Sequence, residues 1–303
     1  MAGEMVYASG RCEGVAGGWD GNITHGFAAV DVPAGGIWES ATAVPDTRLA
    51  GQVLRYSGYR TFAQGPIRLR SMPSLRIVLF ISLDAPSQFM DRRERSSLTA
   101  AVFGLRAEAA ALHCRRDGGR TMMVELTPHG AYTLLGVSLH ELTGGLTDLT
   151  DLLGDDARRL AERLAEATGW ERRFALLEGL LTVQATVGRS PAPQVAWAWR
   201  RLHRSAGRVR IEQLAAEIGW SRQHLVTRFR EQIGLAPKTA ARVIRFQRAL
   251  RLLQQPVQPA LTDLARECGY SDQAHFTREF RALTDATPAD LATGRSRIKD
   301  PIE

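Results

Sequence analysis

A short pattern occurs twice in the C-terminal third of this 303-residue chain. The first copy reads LAAEIGWS from Leu214, and the second reads LARECGYS from Leu264. The two copies are 50 residues apart. An aromatic residue followed by an arginine occurs after each copy, and these two pairs are 51 residues apart. These pairs are Phe229-Arg230 and Phe280-Arg281. The repetition predicts two copies of one small helical unit, with an extra residue after the turn of the second.

Both copies have the apolar spacing of a short amphipathic helix. Apolar residues at i, i+3, i+4 and i+7 form one stripe on a helix. A glycine follows each stripe, as is typical where a helix ends at positive φ. Ser221 or Ser271 then has a hydroxyl that can cap a second helix. Two helices joined by a short glycine-containing turn are the helix-turn-helix unit, whose second helix enters the major groove of DNA.

The second helix of each unit is predicted to have a buried and an outward face. Leu225 and Phe229 pack inward in the first unit, and Phe276 and Phe280 in the second. Gln suits adenine, Arg suits guanine, and Val, Thr or Ala can contact a thymine methyl group. The outward sets are Arg222, Gln223, Val226, Thr227 and Arg230, and Gln273, Ala274, His275, Thr277 and Arg278. Either set also fits a solvated helix face, and their presence in register favours the groove.

A long helix is predicted between the two units. The run from Thr239 to Gln254 lacks Gly and Pro, and its dense apolar positions can contact both units. Arginines recur on it at three-residue steps, from Arg242 to Arg251. A helix of about 16–18 residues is roughly 25 Å long. With the width of its flanking units, it can hold two recognition helices about one DNA turn apart, on the order of 34 Å.

These residues resemble the AraC/XylS transcriptional regulators over roughly Val195 to Leu291. The likeness rests on a long, discontinuous set of positions. They are Leu214-Ala215, Gly219-Trp220-Ser221, Leu225, Phe229-Arg230, Gly234, Pro237, Arg245-Phe246-Gln247-Arg248-Ala249, Gly269-Tyr270-Ser271-Asp272-Gln273, Phe276, Arg278, Phe280 and Pro288. The resemblance implies a bacterial transcription factor whose DNA-binding domain has seven helices, two helix-turn-helix subdomains and a long connecting helix.

By position, the resemblance places base contacts on both recognition helices. They fall on Gln223, Val226, Thr227, Gln273, Ala274, His275 and Arg278. The expected contacts to the DNA backbone are Ser221, Arg222, Arg230, Lys238, Arg248, Arg251, Ser271 and Arg281. Two positions depart from the family: Thr227 replaces an Arg that many relatives keep, and Asp285 replaces a Gly. Because the two recognition helices carry different outward residues, we predict an operator with two different half-sites.

The charge is uneven along the chain. The whole sequence carries 39 Lys+Arg and 32 Asp+Glu, a formal net charge of +7. From Arg189 onward there are 20 basic and 11 acidic residues, whereas the first 188 residues hold 19 and 21. Only the C-terminal part is therefore predicted to attract a polyanion.

Composition and motifs indicate a soluble protein of the cytoplasm, associated with the nucleoid when bound to DNA. Cys12, Cys114 and Cys268 lie far apart without metal-ligand spacing, as expected in a reducing compartment. No apolar run is long enough to span a membrane, and no signal peptide is visible. The sequence contains no phosphate-binding loop and no catalytic motif, so we expect neither an enzyme nor a cofactor or metal.

The N-terminal half is predicted to be β-rich and then helical. Short apolar runs between about Ile23 and Leu126 indicate strands of a barrel or sandwich. Helical spacing follows from Ala131 to Val187. The glycine-rich stretch from Gly10 to Gly26 is expected to be a loose arm. The predicted class is thus α+β, with a β-rich domain carrying helices of its own before an all-α DNA-binding domain.

The predicted domains are an N-terminal regulatory domain over 1–187, a linker over 188–194, a DNA-binding domain over 195–295 and a tail over 296–303. At Leu126-Thr127-Pro128, Leu134-Leu135-Gly136-Val137 and Asp151-Leu152-Leu153-Gly154, the N-terminal half resembles the regulatory half of actinobacterial members of the family. We expect this half to bind a small-molecule effector or a partner protein. RNA polymerase is a further partner expected of such a regulator. The amphipathic helices after the β-rich part favour a homodimer through the N-terminal domain. Large side chains that can line an effector pocket are Tyr56, Phe80, Phe103 and Met122, although ordinary core packing is the favoured explanation for them.

A second class of function stays open at this point. The chain can also be a DNA-binding protein whose N-terminal half is an enzyme or repair module with a reactive cysteine. Cys12 or Cys114 would then have to be an activated thiolate. Arg115 and Arg116, which follow Cys114, are the one sign of such activation in the sequence.

Overall fold

The computed structural model describes residues 5–11, 27–31, 37–91, 94–255 and 257–292. Its N-terminal part contains ten strands and its C-terminal part is helical. The strands are β1 Met5–Arg11, β2 Phe27–Asp31, β3 Ile37–Ala43, β4 Val53–Ser71, β5 Ile77–Ser82, β6 Ser87–Asp91, β7 Glu94–Leu98, β8 Ala100–Phe103, β9 Ala110–Leu126 and β10 Leu146–Asp148.

Two long strands organise the antiparallel sheet. β4 pairs with β9 from Val53–Leu126 to Ser71–Ala110, with a register shift between Thr61 and Gln64. The full order is β1-β3-β4-β9-β5-β8-β10, with β2 on β4, β6 on β9 and β7 on β6. β4 is one continuous strand that pairs first with β3 and then with β2.

The expectation of a loose arm is wrong for its first residues. Gly10 and Arg11 are the end of β1, where they pair with Trp38 and Ile37 of β3. Backbone hydrogen bonds to a neighbouring strand therefore fix this end of the stretch. The rest of it, from Cys12 to Gly26, lies outside the described residues.

Four helices follow or flank the sheet in the N-terminal half: α1 Pro128–Leu135, α2 Leu149–Leu153, α3 Asp155–Glu166 and α4 Gly169–Val187. α4 crosses the sheet closely, because a Cβ added to Gly58 would lie 2.3 Å from the Trp170 ring. Next to this contact, the ring of Tyr56 stacks on Phe174 at 6.0 Å between centroids. The predicted order of a β-rich part followed by helices is confirmed.

Seven helices form the described C-terminal part: α5 Pro193–Arg204, α6 Ile211–Glu217, α7 Arg222–Ile233, α8 Pro237–Leu253, α9 Leu261–Glu267, α10 Gln273–Thr284 and α11 Pro288–Ala292. Their number and order agree with the expectation from sequence. The long connecting helix begins two residues earlier than expected, because Pro237 occupies its first turn, where a missing N–H costs nothing.

The two halves share one apolar core. A single cluster of buried side chains runs from the sheet through Val195, Leu225 and Ile233. The segment between α4 and α5 is part of this packing, since a Cβ on Gly188 would lie 2.2 Å from the carbonyl oxygen of Thr133. In addition, the Ala192 N–H donates to the buried side chain of Gln232 at 2.8 Å.

Candidate nucleic-acid interface

The first helix-turn-helix unit consists of α6 and α7. Gly219 adopts a φ of 70°, which allows the chain to leave α6 sharply. The Ser221 hydroxyl accepts a hydrogen bond from the His224 N–H at 3.2 Å and so caps α7. Leu225 and Phe229 are fully buried, as predicted for the inner face.

The outward face of α7 carries the predicted base contacts. Gln223 and Thr227 are exposed, and Val226 is half-buried beside them. The Thr227 hydroxyl donates to the backbone carbonyl of Gln223 at 3.1 Å. Arg222 and Arg230 are exposed at the sides of this face, and Arg222 lies 3.4 Å from Glu212 of α6.

The second unit has a different cap from the one expected. Its turn again contains a glycine at positive φ, Gly269 at 82°. The side chain that caps α10 belongs to Asp272, which accepts the His275 N–H at 2.7 Å, so the Ser271 prediction is wrong on this point. That hydrogen bond, followed by the one from Ser271, lowers the pKa of Asp272. The extra residue in the second copy is therefore taken up at the cap.

A shallow, open concavity lies along the outward face of α10. It is lined by Gln273, Ala274, Thr277, Arg278 and Arg281. Three of these are predicted base contacts, and Arg281 is a predicted backbone contact. Thr277 is predicted to face outward but is not among the predicted base contacts. It lies one helical turn after Gln273 and Ala274 and lines the same concavity.

His275 has a different environment from the other predicted base contacts. Its Nε2 lies 3.3 Å from a carboxylate oxygen of Glu279, and its Nδ1 lies 3.1 Å from the Ser271 hydroxyl. The ring also packs edge-on against Tyr270 at 5.5 Å. These neighbours hold His275 and Ser271 together at the start of α10.

Glu279 is a buried residue that no sequence pattern singles out. This carboxylate on α10 is only 9% exposed, and it accepts hydrogen bonds from two arginines of α8. Arg242 Nε lies at 3.2 Å and Arg245 at 3.1 Å. A second nitrogen of Arg245 donates to the carbonyl of Gly207, and its guanidinium lies over the ring of Tyr270. Arg242 and Arg245 therefore link the connecting helix to the second recognition helix.

The predicted backbone contacts on α8 differ in their availability. Lys238 and Arg251 are exposed, and the Arg251 Nε donates to the Gln247 carbonyl of its own helix. Arg248 is half-buried and pairs with Glu267 of α9 at 2.9 Å. Because Arg248 forms an ion pair within the chain, Lys238 and Arg251 are more available than Arg248 to bind an anion.

The four candidate pocket residues do not share one apolar cluster. Tyr56 and Met122 belong to the main core. Phe80 and Phe103 pack with Phe89 in a separate cluster, where Phe80 and Phe103 meet edge-on at 6.1 Å. The structure thus separates these four residues into two pairs.

The two described cysteines are both buried. Cys114 is 4% exposed in β9 and packs in the cluster of Phe80 and Phe89. Burial raises the pKa of the Cys268 thiol to about 11. Cys12 lies outside the described residues. A reactive thiolate is partly exposed, whereas both described cysteines are buried.

The part of the chain that is described contains neither a membrane-spanning helix nor a cluster of metal ligands. No helix there is long and apolar enough to cross a membrane. The same residues contain no group of three or more His, Cys, Asp or Glu side chains arranged to hold a metal ion.

The C-terminal part is similar to known proteins. Residues 214–293 match the family described as "Helix-turn-helix domain". The HTH-type transcriptional regulator YbfI of Bacillus subtilis is 31% identical over 143 residues, which cover 45% of this chain and 49% of YbfI. The HTH-type transcriptional activator RhaS of Klebsiella pneumoniae is 33% identical over 101 residues, covering 33% of this chain and 36% of RhaS. The alignments thus span between about a third and a half of these relatives.

Two solved structures are similar to the chain. One is the C-terminal domain of AraT, a response regulator from Geobacillus stearothermophilus, which is 19% identical with a TM-score of 0.33. That match covers 37% of this chain and 93% of the other. ToxT from Vibrio cholerae is 11% identical with a TM-score of 0.43, and the match covers 79% of this chain and 97% of ToxT.

Proposed function

We propose that this chain is a sequence-specific transcriptional regulator of the AraC/XylS type, because residues 214–293 match a helix-turn-helix domain. It reads two successive major grooves, one with α7 and one with α10. The observation that carries this proposal is the pair of capped recognition helices whose outward faces hold exposed Gln223 and Thr227 and exposed Gln273 and Arg278.

The length of α8 supports contact with two grooves. Its 17 residues correspond to about 25 Å at 1.5 Å per residue. Together with the width of the units at its two ends, this suits recognition helices about one DNA turn apart, on the order of 34 Å. The excess of basic residues after Arg189 favours approach to the duplex.

Base preferences follow from the exposed groups. Arg278 can donate two hydrogen bonds to guanine, and Gln223 and Gln273 can pair with adenine. Val226 and Ala274 offer methyl groups to thymine. The groups that α7 offers to bases are mainly an amide and methyl groups, whereas α10 carries Arg278. The operator is therefore proposed to contain two different half-sites.

We assign regulation to the N-terminal half, residues 1–187, joined through 188–194 to a DNA-binding domain over 195–295 and a tail over 296–303. A small-molecule effector is the favoured ligand of this half, with a partner protein as the alternative. Support comes from the buried hydroxyls of Tyr56 and Thr182, neither of which has a hydrogen-bond partner among the described residues. Buried polar groups without partners are uncommon, and a ligand group can satisfy them.

The proposed regulator works in the cytoplasm on the nucleoid, where RNA polymerase is a further partner. We also propose that it forms a homodimer through the N-terminal half. The outer face of α4 supports this, because Leu180, Val183 and Val187 are apolar and between 36% and 73% exposed. Such a face is typical of a helix that packs against a second copy.

Selection from a random DNA library tests the proposed function. The full chain should enrich duplexes that contain two different half-sites about one helical turn apart. An Arg278→Ala variant should keep the half-site of α7 and lose one base position in the other. Enrichment of no motif, or of a single half-site unaffected by Arg278→Ala, would contradict reading by two helices.

A further inference from the structure

The C-terminal ends of both recognition helices receive a backbone hydrogen bond from the N-terminal half. The Leu139 N–H donates to the carbonyl of Glu231 on α7 at 2.9 Å. The Ala109 N–H donates to the carbonyl of Leu283 on α10 at 2.7 Å. The last four carbonyls of a helix have no partner within that helix, so a donor from outside is needed to satisfy them.

The contact at α7 is reinforced just beyond the end of the helix. The Thr143 hydroxyl donates to the carbonyl of Gly234 at 2.8 Å. Gly234 has a φ of 93°, and a Cβ there would lie 3.0 Å from both the Leu105 side chain and the Leu139 carbonyl oxygen. A glycine therefore permits the N-terminal half to approach the helix end this closely.

The contact at α10 is accompanied by apolar packing. Met72, at the end of the sheet, is 1% exposed and lies in the cluster that contains Phe246 of α8 and Phe280 of α10. Ala109 packs against the same cluster. The sheet thus contacts the connecting helix and the second recognition helix at one place.

One short segment joins the two contacts. Residues 104–109, here called the bridging segment, begin at the first unit, where Leu105 approaches Gly234. They end at the second unit, where Ala109 donates to Leu283. The segment is anchored in the middle, because the Ser74 N–H donates to the carbonyl of Arg106 at 3.0 Å. Leu105 and Arg106 are 1% and 4% exposed, so the segment belongs to the packed interior.

We propose that the N-terminal half acts as a clamp that sets the spacing between the two recognition helices, with Thr143 and Ala109 as positioning residues. This inference rests on the proposed function. α8 ties the two units together through one helix, and the bridging segment adds a further link between the C-terminal ends of the recognition helices. DNA whose half-sites are spaced differently must then deform, or a clamp contact must break, and either costs binding free energy. The clamp thereby makes half-site spacing part of the specificity.

The test compares full-length variants on a set of duplexes. Thr143→Val removes a hydroxyl at almost constant shape, and Ala109→Pro removes the N–H that reaches Leu283. Thr186→Val is the matched control for the first, since its hydroxyl donates to Val183 of its own helix. Glu108→Pro controls for a proline in the bridging segment, because no hydrogen bond of the Glu108 N–H is present in the described chain.

The duplexes carry the two selected half-sites with zero, one or two base pairs inserted between them. Wild type and both controls should prefer one spacing by about tenfold or more. The double variant Thr143→Val/Ala109→Pro should lose most of that preference, because it lacks two hydrogen bonds of the clamp. Affinity for a single half-site should not change. A double variant that keeps the wild-type spacing preference overturns the clamp and leaves the proposed function standing. A wild type that selects no paired half-sites overturns both.

Hydrogen exchange in the free protein gives a second measurement that does not depend on DNA or on the folding of a variant. The amides of Leu139 and Ala109 should exchange at least about tenfold more slowly than the exposed Glu108 amide, because they are hydrogen-bonded in the clamp. Exchange of both at the rate of Glu108 would show that the clamp is open, which overturns the inference.

Discussion

Arg245 of the connecting helix donates to Glu279 of the second recognition helix at 3.1 Å, with the two side chains 17% and 9% exposed. Low exposure strengthens the attraction between the charges and also makes either charge costly to leave alone. Arg242 shares the same carboxylate. The orientation of α10 on α8 therefore depends on one buried acidic side chain.

Glu279→Ala should lower the free energy of unfolding by about 2–3 kcal/mol, because it leaves Arg245 without its carboxylate partner. Glu279→Gln should fall between this variant and wild type, since an amide oxygen still accepts hydrogen bonds but carries no charge. Urea unfolding measures both. Glu267→Ala is the control, since its pair with Arg248 involves a carboxylate that is 47% exposed. It should cost less than about 1 kcal/mol, and an equal loss in the two alanine variants would contradict the buried role of Glu279.

Arg278→Ala should weaken binding to the selected operator by about 1–3 kcal/mol and relax one base position. The reason is that Arg278 is exposed on the concave face of α10 and forms no ion pair within the described part of the chain. Competition binding on a series of single-base operator variants measures this. Arg158→Ala serves as the control for a lost positive charge, because Arg158 pairs with Asp155 on α3. If Arg278→Ala weakens binding equally on random DNA, Arg278 contacts a phosphate rather than a base.

The inner faces and turns of the helix-turn-helix units could be predicted from the sequence because local rules determine them. Phe229 and Phe280 are buried at the positions that helical spacing requires. Asp285, which replaces the usual glycine, adopts the left-handed conformation at φ 55°, as an Asp can. The cap of α10 was assigned to the wrong residue because Ser271 and Asp272 are adjacent and both are good caps.

Long-range relationships were not predictable in the same way. Glu279 has the sequence pattern of an ordinary helical carboxylate, and only the packing of α8 on α10 makes it a buried partner for two arginines. Likewise, no local signal marks Ala109 as a donor to Leu283, which is far along the chain. The candidate pocket residues failed to come together because Phe80 and Met122 lie in different clusters of the sheet, and residue type alone does not specify a sheet face.

Stability should fall between pH 6.5 and pH 4 in part because of His129. Burial, followed by the nearby charges of Arg200 and His203, lowers the pKa of His129 from 6.5 to about 4. Within this window the unfolded chain binds a proton that the folded chain does not, so acid favours unfolding. The ring stays neutral beside Trp199, which it meets edge-on at 6.0 Å. Below about pH 4 both states are protonated and this contribution no longer changes.

His129→Leu should therefore flatten the fall in unfolding free energy over this window by about 1–3 kcal/mol. Urea unfolding at a series of pH values measures the difference from wild type. Part of the pH dependence should remain in His129→Leu, because the pKa of His203 is also lowered, first by burial and then by the charge of Arg251. His140→Leu is the control, since His140 is exposed. Equal pH dependence in wild type and His129→Leu would show that His129 is protonated in the folded protein.

The double substitution Leu180→Glu/Val183→Glu should convert a dimer into a monomer. Both side chains lie on the exposed apolar face of α4, at 36% and 63% exposure. In a dimer formed through this face, the two new carboxylates of one copy would lie opposite those of the other and repel them. Light scattering after size exclusion should give twice the 33.3 kDa chain mass for wild type and the single mass for the variant. Val257→Glu is a matched control, because Val257 is 84% exposed between α8 and α9, far along the chain from α4. A wild type that is already monomeric at tens of micromolar, or a variant that stays dimeric, would exclude α4 as the contact between copies.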